Sequence, residues 1–158
     1  MRIGVVSDTH GDEHTLKQVI VSAGPVDHWL HAGDYYHDGW RLAELTGLPL
    51  TVVAGNCDRN STVLADEYVE LAGKTIWLTH GHNYNVKYGI SELVWWGRQY
   101  GASVVVYGHT HVPCNRWHDG ILVFNPGSPR APRGGSAPSF GILDISEDGI
   151  IEGTIIEL

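Results

Sequence analysis

The sequence predicts an α/β fold in which two β-sheets pack against each other with helices outside. Two observations predict it. Apolar runs alternate with stretches of helical periodicity along the chain, the pattern of a layered α/β protein. The runs that read as strands number about nine, too many for one doubly wound sheet in a chain of 158 residues.

The first strand is RIGVV (2–6), followed by a turn and a helix from about Asp12 to Ala23. In that helix Leu16, Val19, Ile20 and Ala23 fall on one face, Asp12 is the natural N-cap, and Gly24-Pro25 ends it. HWLHAG (28–33) and LTVVAG (50–55) read as strands, with a helical stretch around Trp40 to Leu45 between them. EYVEL (67–71) and TIWLTHG (75–81) are joined by Ala72-Gly73-Lys74 as a hairpin. A further helix covers about Ser91 to Tyr100, and Val104, Val105 and Val106 open the strand VVVYG. The remaining strands are ILVFN (121–125), FGILDIS (140–146) and IEGTIIEL (151–158). No repeat or linker interrupts the pattern, so residues 1–158 are expected to form a single domain. The one biased stretch is NPGSPRAPRGGSAPS (125–139), a loop long enough to be either functional or mobile.

Composition narrows the function classes. The formal charge of −8 and the scattering of ten basic residues argue against extended nucleic acid as a partner. No apolar run approaches the roughly 18 residues of a membrane span, and the opening MRIGVVSDTH turns polar too soon for a signal peptide. A cytoplasmic location is expected. Cys57 and Cys114 have no C-x-x-C spacing, so neither a disulfide framework nor a thiolate zinc site is encoded. Histidine is the unusual entry, ten in all with no tag-like tract.

Many of those histidines stand at strand ends. The first strand runs into Asp8 and His10, the second into Asp34, the third into Asn56 and Asp58. TIWLTHGH ends in His80 and His82, and VVVYGHTH in His109 and His111. Read as extended chain, His109 and His111 would point the same way. An Asp or Asn after a strand is ordinary turn chemistry taken singly. Five strand ends that agree, in a fold whose ligand sites lie beyond the carboxyl ends of strands, predict one metal site. Asp, Asn and His without thiolate favour Mn²⁺, Fe or Zn²⁺, with Ni²⁺ and Co²⁺ as further alternatives. So many ligands suit two divalent ions sharing a carboxylate, a centre that attracts phosphate oxyanions even on an acidic protein.

The ordered motifs SDTH, GD, GNCD, HGH and GHTH resemble the calcineurin-like metallophosphoesterase superfamily. Chain length, the cysteine of GNCD and NPGS (125–128) are similar to its small prokaryotic phosphodiesterase branch. The resemblance implies a four-layer αββα sandwich of two mixed β-sheets flanked by helices. It implies one metal held by Asp8, His10, Asp34 and His111. A second would be held by Asp34, Asn56, His80 and His109, with Asp34 bridging. A metal-bridging hydroxide would then attack a small phosphoester substrate, with Mn²⁺ favoured as the ion. His82 becomes a supporting or substrate-facing residue. Many members carry histidine where Cys57 stands, so protonation of the leaving group falls here to His82 or solvent, and Cys57 is expected chiefly to pack. Asp58 is expected to orient a neighbouring histidine.

Weaker signals complete the reading. AGKT (72–75) is no phosphate loop, because Tyr68 stands where glycine is required. His14, His28, His31, His37 and His118 read as surface or packed imidazoles. Tyr35 and Tyr36 border the site or simply pack, and Arg130 and Arg133 either meet a phosphate oxygen or are solvated. Adjacent Trp95 and Trp96 cannot share one helix face, so one is expected outside, at a homo-oligomer contact or over the site. Small phosphodiesters are the leading substrates; a nucleotide or phosphomonoester phosphatase and a non-catalytic metal-binding scaffold are the alternatives.

Overall fold

The computed structural model describes residues 1–59 and 61–158. Among these, ten strands form two five-stranded sheets. In the first sheet β1 (Arg2–Val6), β2 (His28–His31) and β3 (Leu50–Val52) run parallel. β9 (Ser139–Ile145) pairs antiparallel with β1, and β10 (Ile151–Glu157) with β9. The second sheet has β5 (Lys74–Thr79), β6 (Val104–Val106) and β8 (Ile121–Asn125) in parallel. Its antiparallel edges are β4 (Asp66–Leu71) and β7 (Cys114–His118). Both sheets are therefore mixed.

The alternation of side chains explains the layers. Ile3 and Val5 of β1, Ile76 and Leu78 of β5, Val104 and Val106 of β6, and Leu122 and Phe124 of β8 meet in the core between the sheets. The intervening residues Trp77, Val105 and Val123 face outward, under α3 (Ser91–Gln99). On the other side Val6, Trp29 and Ile142 lie under α1 (Glu13–Ala23) and α2 (Tyr36–Thr46), packed with Val19 and Leu42. Helix, sheet, sheet and helix make the four-layer αββα sandwich. Asp12 caps α1, its Oδ1 accepting from the backbone N–H of His14 at 3.0 Å. Ala72 and Gly73 both have positive φ, as a tight two-residue hairpin between β4 and β5 requires.

Three expectations need correction. Cys114–His118 is a strand that the sequence pattern did not reveal, because it is an edge strand with four exposed residues and no apolar alternation. Helix α2 begins at Tyr36, earlier than the Trp40 expected, following a left-handed Tyr35 that makes no side-chain cap. β3 pairs only over 50–52, and the chain beyond it leaves the ladder toward the site. Trp95 is exposed and meets the half-buried Trp96 edge to face. Among the described residues no helix is long and apolar enough to cross a membrane, and both cysteines are free thiols.

Candidate metal centre

The parallel strands β1, β2, β3, β5 and β6 all end on one side of the sandwich, and the polar residues that follow them converge there. One donor atom from each of Asp8, His10, Asp34 and His111 lies within 4.8 Å of the others. Beside this group, His80 Nε2 lies 3.4 Å from Asp34 Oδ1 and 3.2 Å from Asn56 Oδ1. The His109 ring stands 5.1 Å from that of His80. Asp34 belongs to both groups.

Backbone conformation produces this convergence. Asp8, His10, Asp34, His109 and His111 all adopt positive φ, between 55° and 65°. For residues with a Cβ this left-handed conformation costs on the order of 1 kcal/mol each, and it is found where surrounding structure enforces it. It also corrects the expectation that His109 and His111 point the same way. Neither is extended, and the two rings part: His111 lies 5.1 Å from the His10 ring while His109 turns to His80.

Hydrogen bonding fixes which atoms face the cluster. His80 Nδ1 donates to the Ala32 carbonyl at 2.7 Å, which turns its Nε2 to the oxygens of Asp34 and Asn56. His111 Nδ1 likewise donates to the Ala131 carbonyl at 2.6 Å, and its Nε2 stands 3.1 Å from Asp8 Oδ1. Asp8 Oδ2 accepts from Ser7 Oγ and the His109 backbone N–H, at 2.7 and 3.0 Å, which directs Oδ1 into the cluster. Asp8 Oδ1 and His10 Nε2 are buried and make no hydrogen bond. Lone pairs that face one another in this way fit a cation, and a carbonyl on the far nitrogen of each histidine is the support metal-binding imidazoles receive.

The electrostatics agree. Burial, opposed only in part by nearby carboxylates, lowers the pKa of His10 and His82. Burial together with His80 and Lys87 lowers His109 to about 4. These imidazoles are neutral at pH 7, the form that ligates metal. For Asp8, burial is outweighed by His111, His80 and Ser7, which hold its carboxyl below the usual value. Burial also opposes protonation of His111, but Asp8 and the Ala131 carbonyl raise its pKa, a proton serving where a cation fits.

The other expected residues have different surroundings. Among the described residues Asp58 makes no hydrogen bond to a histidine: its carboxylate accepts from the backbone N–H groups of Tyr35, Tyr36 and Gly55, at 2.8, 3.2 and 2.8 Å. It therefore orients the turn that carries Asp34. Cys57 is exposed and does not pack. Its backbone N–H donates to Asp34 Oδ1 at 2.8 Å, while loss of solvent and the Asp34 carboxylate push its thiol up to about 11. His82 is half-buried in a short 3₁₀ turn, its ring 5.4 Å from His80. Tyr35 packs edge-on against His10 at 5.1 Å, whereas Tyr36 stacks on His37. Arg130 pairs with Asp12 at 3.3 Å, away from the cluster.

A family model, the calcineurin-like phosphoesterase superfamily domain, matches residues 1–148. The chain belongs to that superfamily. It is a phosphoesterase, and the family implies divalent metal ions, which the donor set fits. It is 33% identical over 150 residues to a probable metallophosphoesterase, YsnB, of Bacillus subtilis, covering 94% of this chain and 86% of that one. It is 30% identical over 168 residues to the phosphodiesterase YfcE of Escherichia coli strain K12, covering 91% and 88%. A crystal structure of a predicted phosphoesterase from Streptococcus pneumoniae superposes with a TM-score of 0.78 at 28% identity, covering 98% and 97%.

Several residues that brace the cluster had no role assigned from the sequence. Asn125 Nδ2 donates to the Gly108 carbonyl at 2.9 Å and to Thr110 Oγ1 at 3.1 Å. Ser128 Oγ donates to the Asp8 carbonyl at 2.8 Å and accepts from the Ala131 N–H at 2.9 Å. The start of the Pro/Gly-rich loop thus ties two turns of the site together. The signal was present: ILVFN is a sixth apolar run that ends in a polar residue.

His31 is the other omission. It is fully buried, its Nδ1 accepts from the Gly33 N–H at 3.2 Å, and its Nε2 therefore donates to Thr9 Oγ1 at 3.0 Å. One neutral tautomer joins the turns that carry Asp8 and Asp34. Burial holds its pKa down at about 4, against 6.5 for a free imidazole. The unfolded chain takes up the proton first, so the stability this residue contributes is present above pH 6.5 and is lost as pH falls toward 4. Between pH 7 and 5 the metal-free protein is expected to lose about 2 kcal/mol more in urea unfolding than His31→Gln. Equal losses would show that His31 does not carry the effect.

Proposed function

We propose that this phosphoesterase acts as one catalytic domain that hydrolyses small phosphodiesters at a dinuclear centre, with Mn²⁺ as the working ion. The observation that carries the reading is the position of Asp34, a carboxylate common to the Asp8, His10, His111 group and to the Asn56, His80 pair. In this reading Asp8, His10, Asp34 and His111 hold one ion, and Asp34, Asn56, His80 and His109 the other. Two bound divalent ions would lower the pKa of a water nucleophile and offset charge on the phosphoryl oxygens.

The chain's own groups do the rest. Ala32 and Ala131 carbonyls fix the imidazole tautomers, Ser7 and the His109 N–H turn Asp8, and Asp58 fixes the Asp34 turn. As the water oxygen bonds to phosphorus and the ester P–O bond breaks, the departing oxygen needs a proton. Neutral His82 and the protonated Cys57 thiol are weak sources, which favours esters of acidic phenols over alkyl esters. Small diesters also accord with the phosphodiesterase YfcE among the relatives.

The test is metal-stripped protein refilled with Mn²⁺ and offered bis(p-nitrophenyl) phosphate beside p-nitrophenyl phosphate. Diester turnover is expected to return with the ion and to exceed monoester turnover. A monoester preference would make the protein a phosphomonoesterase. Stoichiometric metal binding without turnover of either would favour the scaffold.

A further inference from the structure

A groove of about 570 Å³ opens beside the centre, and Thr110, between His109 and His111, forms part of its wall. Arg133 in the same wall is tied to the site directly, its backbone N–H donating to the His111 carbonyl at 3.2 Å. The charge of the groove runs against that of the molecule. Lys87, Arg116 and Arg133 line it with no acidic residue among the lining side chains, although the chain carries 18 acidic residues against ten basic. Arg2, Lys17, Arg41, Arg98 and Arg130 are all held in ion pairs. Among the described residues none of the three groove cations has such a partner.

The rest of the wall is apolar, with Ile90 and the buried ring of Tyr107 among its residues. The volume is within the range of small-molecule sites. A second, smaller hollow, of about 250 Å³, borders the centre through Tyr35 and Cys57, the neighbours of Asp34 and Asn56. A diester has two organic arms, and the centre has one hollow beside the turn that carries His109 and His111 and another beside the turns that carry Asp34 and Asn56.

We infer that the cationic groove receives one arm of the phosphodiester and selects substrates in which that arm carries a second negative charge on an apolar or aromatic body. Unpaired cations in a concave wall concentrate an anion even on an acidic protein, because local field outweighs net charge at short range. The inference rests on the phosphodiesterase reading above, and it specifies which diesters the site prefers.

The experiment compares two diesters with the same leaving group, p-tolyl p-nitrophenyl phosphate and 4-(carboxymethyl)phenyl p-nitrophenyl phosphate, on Mn²⁺-loaded protein at low salt. The carboxylate is expected to raise kcat/KM roughly five- to tenfold, and the advantage is expected to shrink as salt is added. In Arg116→Glu/Arg133→Glu the ratio is expected to fall below one. Lys74→Glu makes the same kind of charge change at the start of β5, the end of that strand away from His80, and is expected to keep the ratio. Equal rates on the two diesters in the wild type, or an advantage that survives the double variant, would overturn the inference while leaving the phosphodiesterase reading intact. Absence of turnover on both would overturn that underlying reading. Calorimetric binding of the two analogues in which a CH2 group replaces the p-nitrophenyl ester oxygen, so that the scissile bond is P–C and inert, would then decide the groove: tighter binding of the carboxylate, lost in the double variant, supports it, and equal binding refutes it.

Discussion

Asp34→Asn is expected to reduce diester turnover by roughly a thousandfold while leaving the fold in place, the scale seen when a group that stabilises charge in the transition state is removed. The side chain is buried, its Oδ1 accepts from the Cys57 N–H at 2.8 Å, and it stands 3.4 Å from His80 Nε2. Asparagine keeps the shape and one carbonyl oxygen, so the hydrogen bond survives. It removes the negative charge that both donor groups share. Metal titration of the variant is expected to show fewer Mn²⁺ ions per chain than in the wild type, with an unfolding midpoint in urea close to that of the metal-free parent. Wild-type turnover in Asp34→Asn would refute the shared-carboxylate reading.

Gly55→Ala is expected to cost at least about a hundredfold in turnover, because a reacting constellation displaced by about 1 Å loses that much. A Cβ at Gly55 would lie 2.2 Å from Asp34 Oδ1 and 2.4 Å from Asp34 N. The second of these is backbone, which has no rotamer by which to yield. The clash must open the space between the turns after β2 and β3, and it displaces the carboxylate as it does so. Stability should fall by about 1–3 kcal/mol, as for other overpacked sites. Gly47→Ala provides the comparison. Gly47 ends α2 with φ 69° and has nothing within 4 Å of the added Cβ, so alanine there strains the backbone without touching the site. It is expected to destabilise the protein by about 1 kcal/mol with turnover unaltered. If the two variants lost activity alike, the loss would be one of stability and not of geometry.

Much of the architecture could be read from side-chain periodicity. Strands such as VVV and ILVFN are apolar on both faces because each side is covered, and the Asp12 cap and the Ala72-Gly73 turn are local chemistry. The strand Cys114–His118 was not legible, since an edge strand with polar, exposed residues has no pattern to distinguish it from a loop. At the centre, the convergence of strand ends followed from topology. How each residue turns did not, because alternation presumes extended chain, and left-handed φ at His109 and His111 breaks that presumption. Bracing contacts were equally hidden. Asp58, Asn125 and Ser128 act on backbone groups of residues distant in sequence, and which N–H or carbonyl an amide or carboxylate meets is decided only by the packed fold.

The left-handed turns also bear on how this protein would respond to selection. At positions 8, 10, 34, 109 and 111 the resident side chain is less comfortable than glycine would be. Glycine there would relax the backbone, yet at 8 and 34 it would strand the His109 and Cys57 N–H groups that those carboxylates accept from. An engineer seeking a hardier chain should leave that rim untouched and look for gains on the exposed faces of the helices.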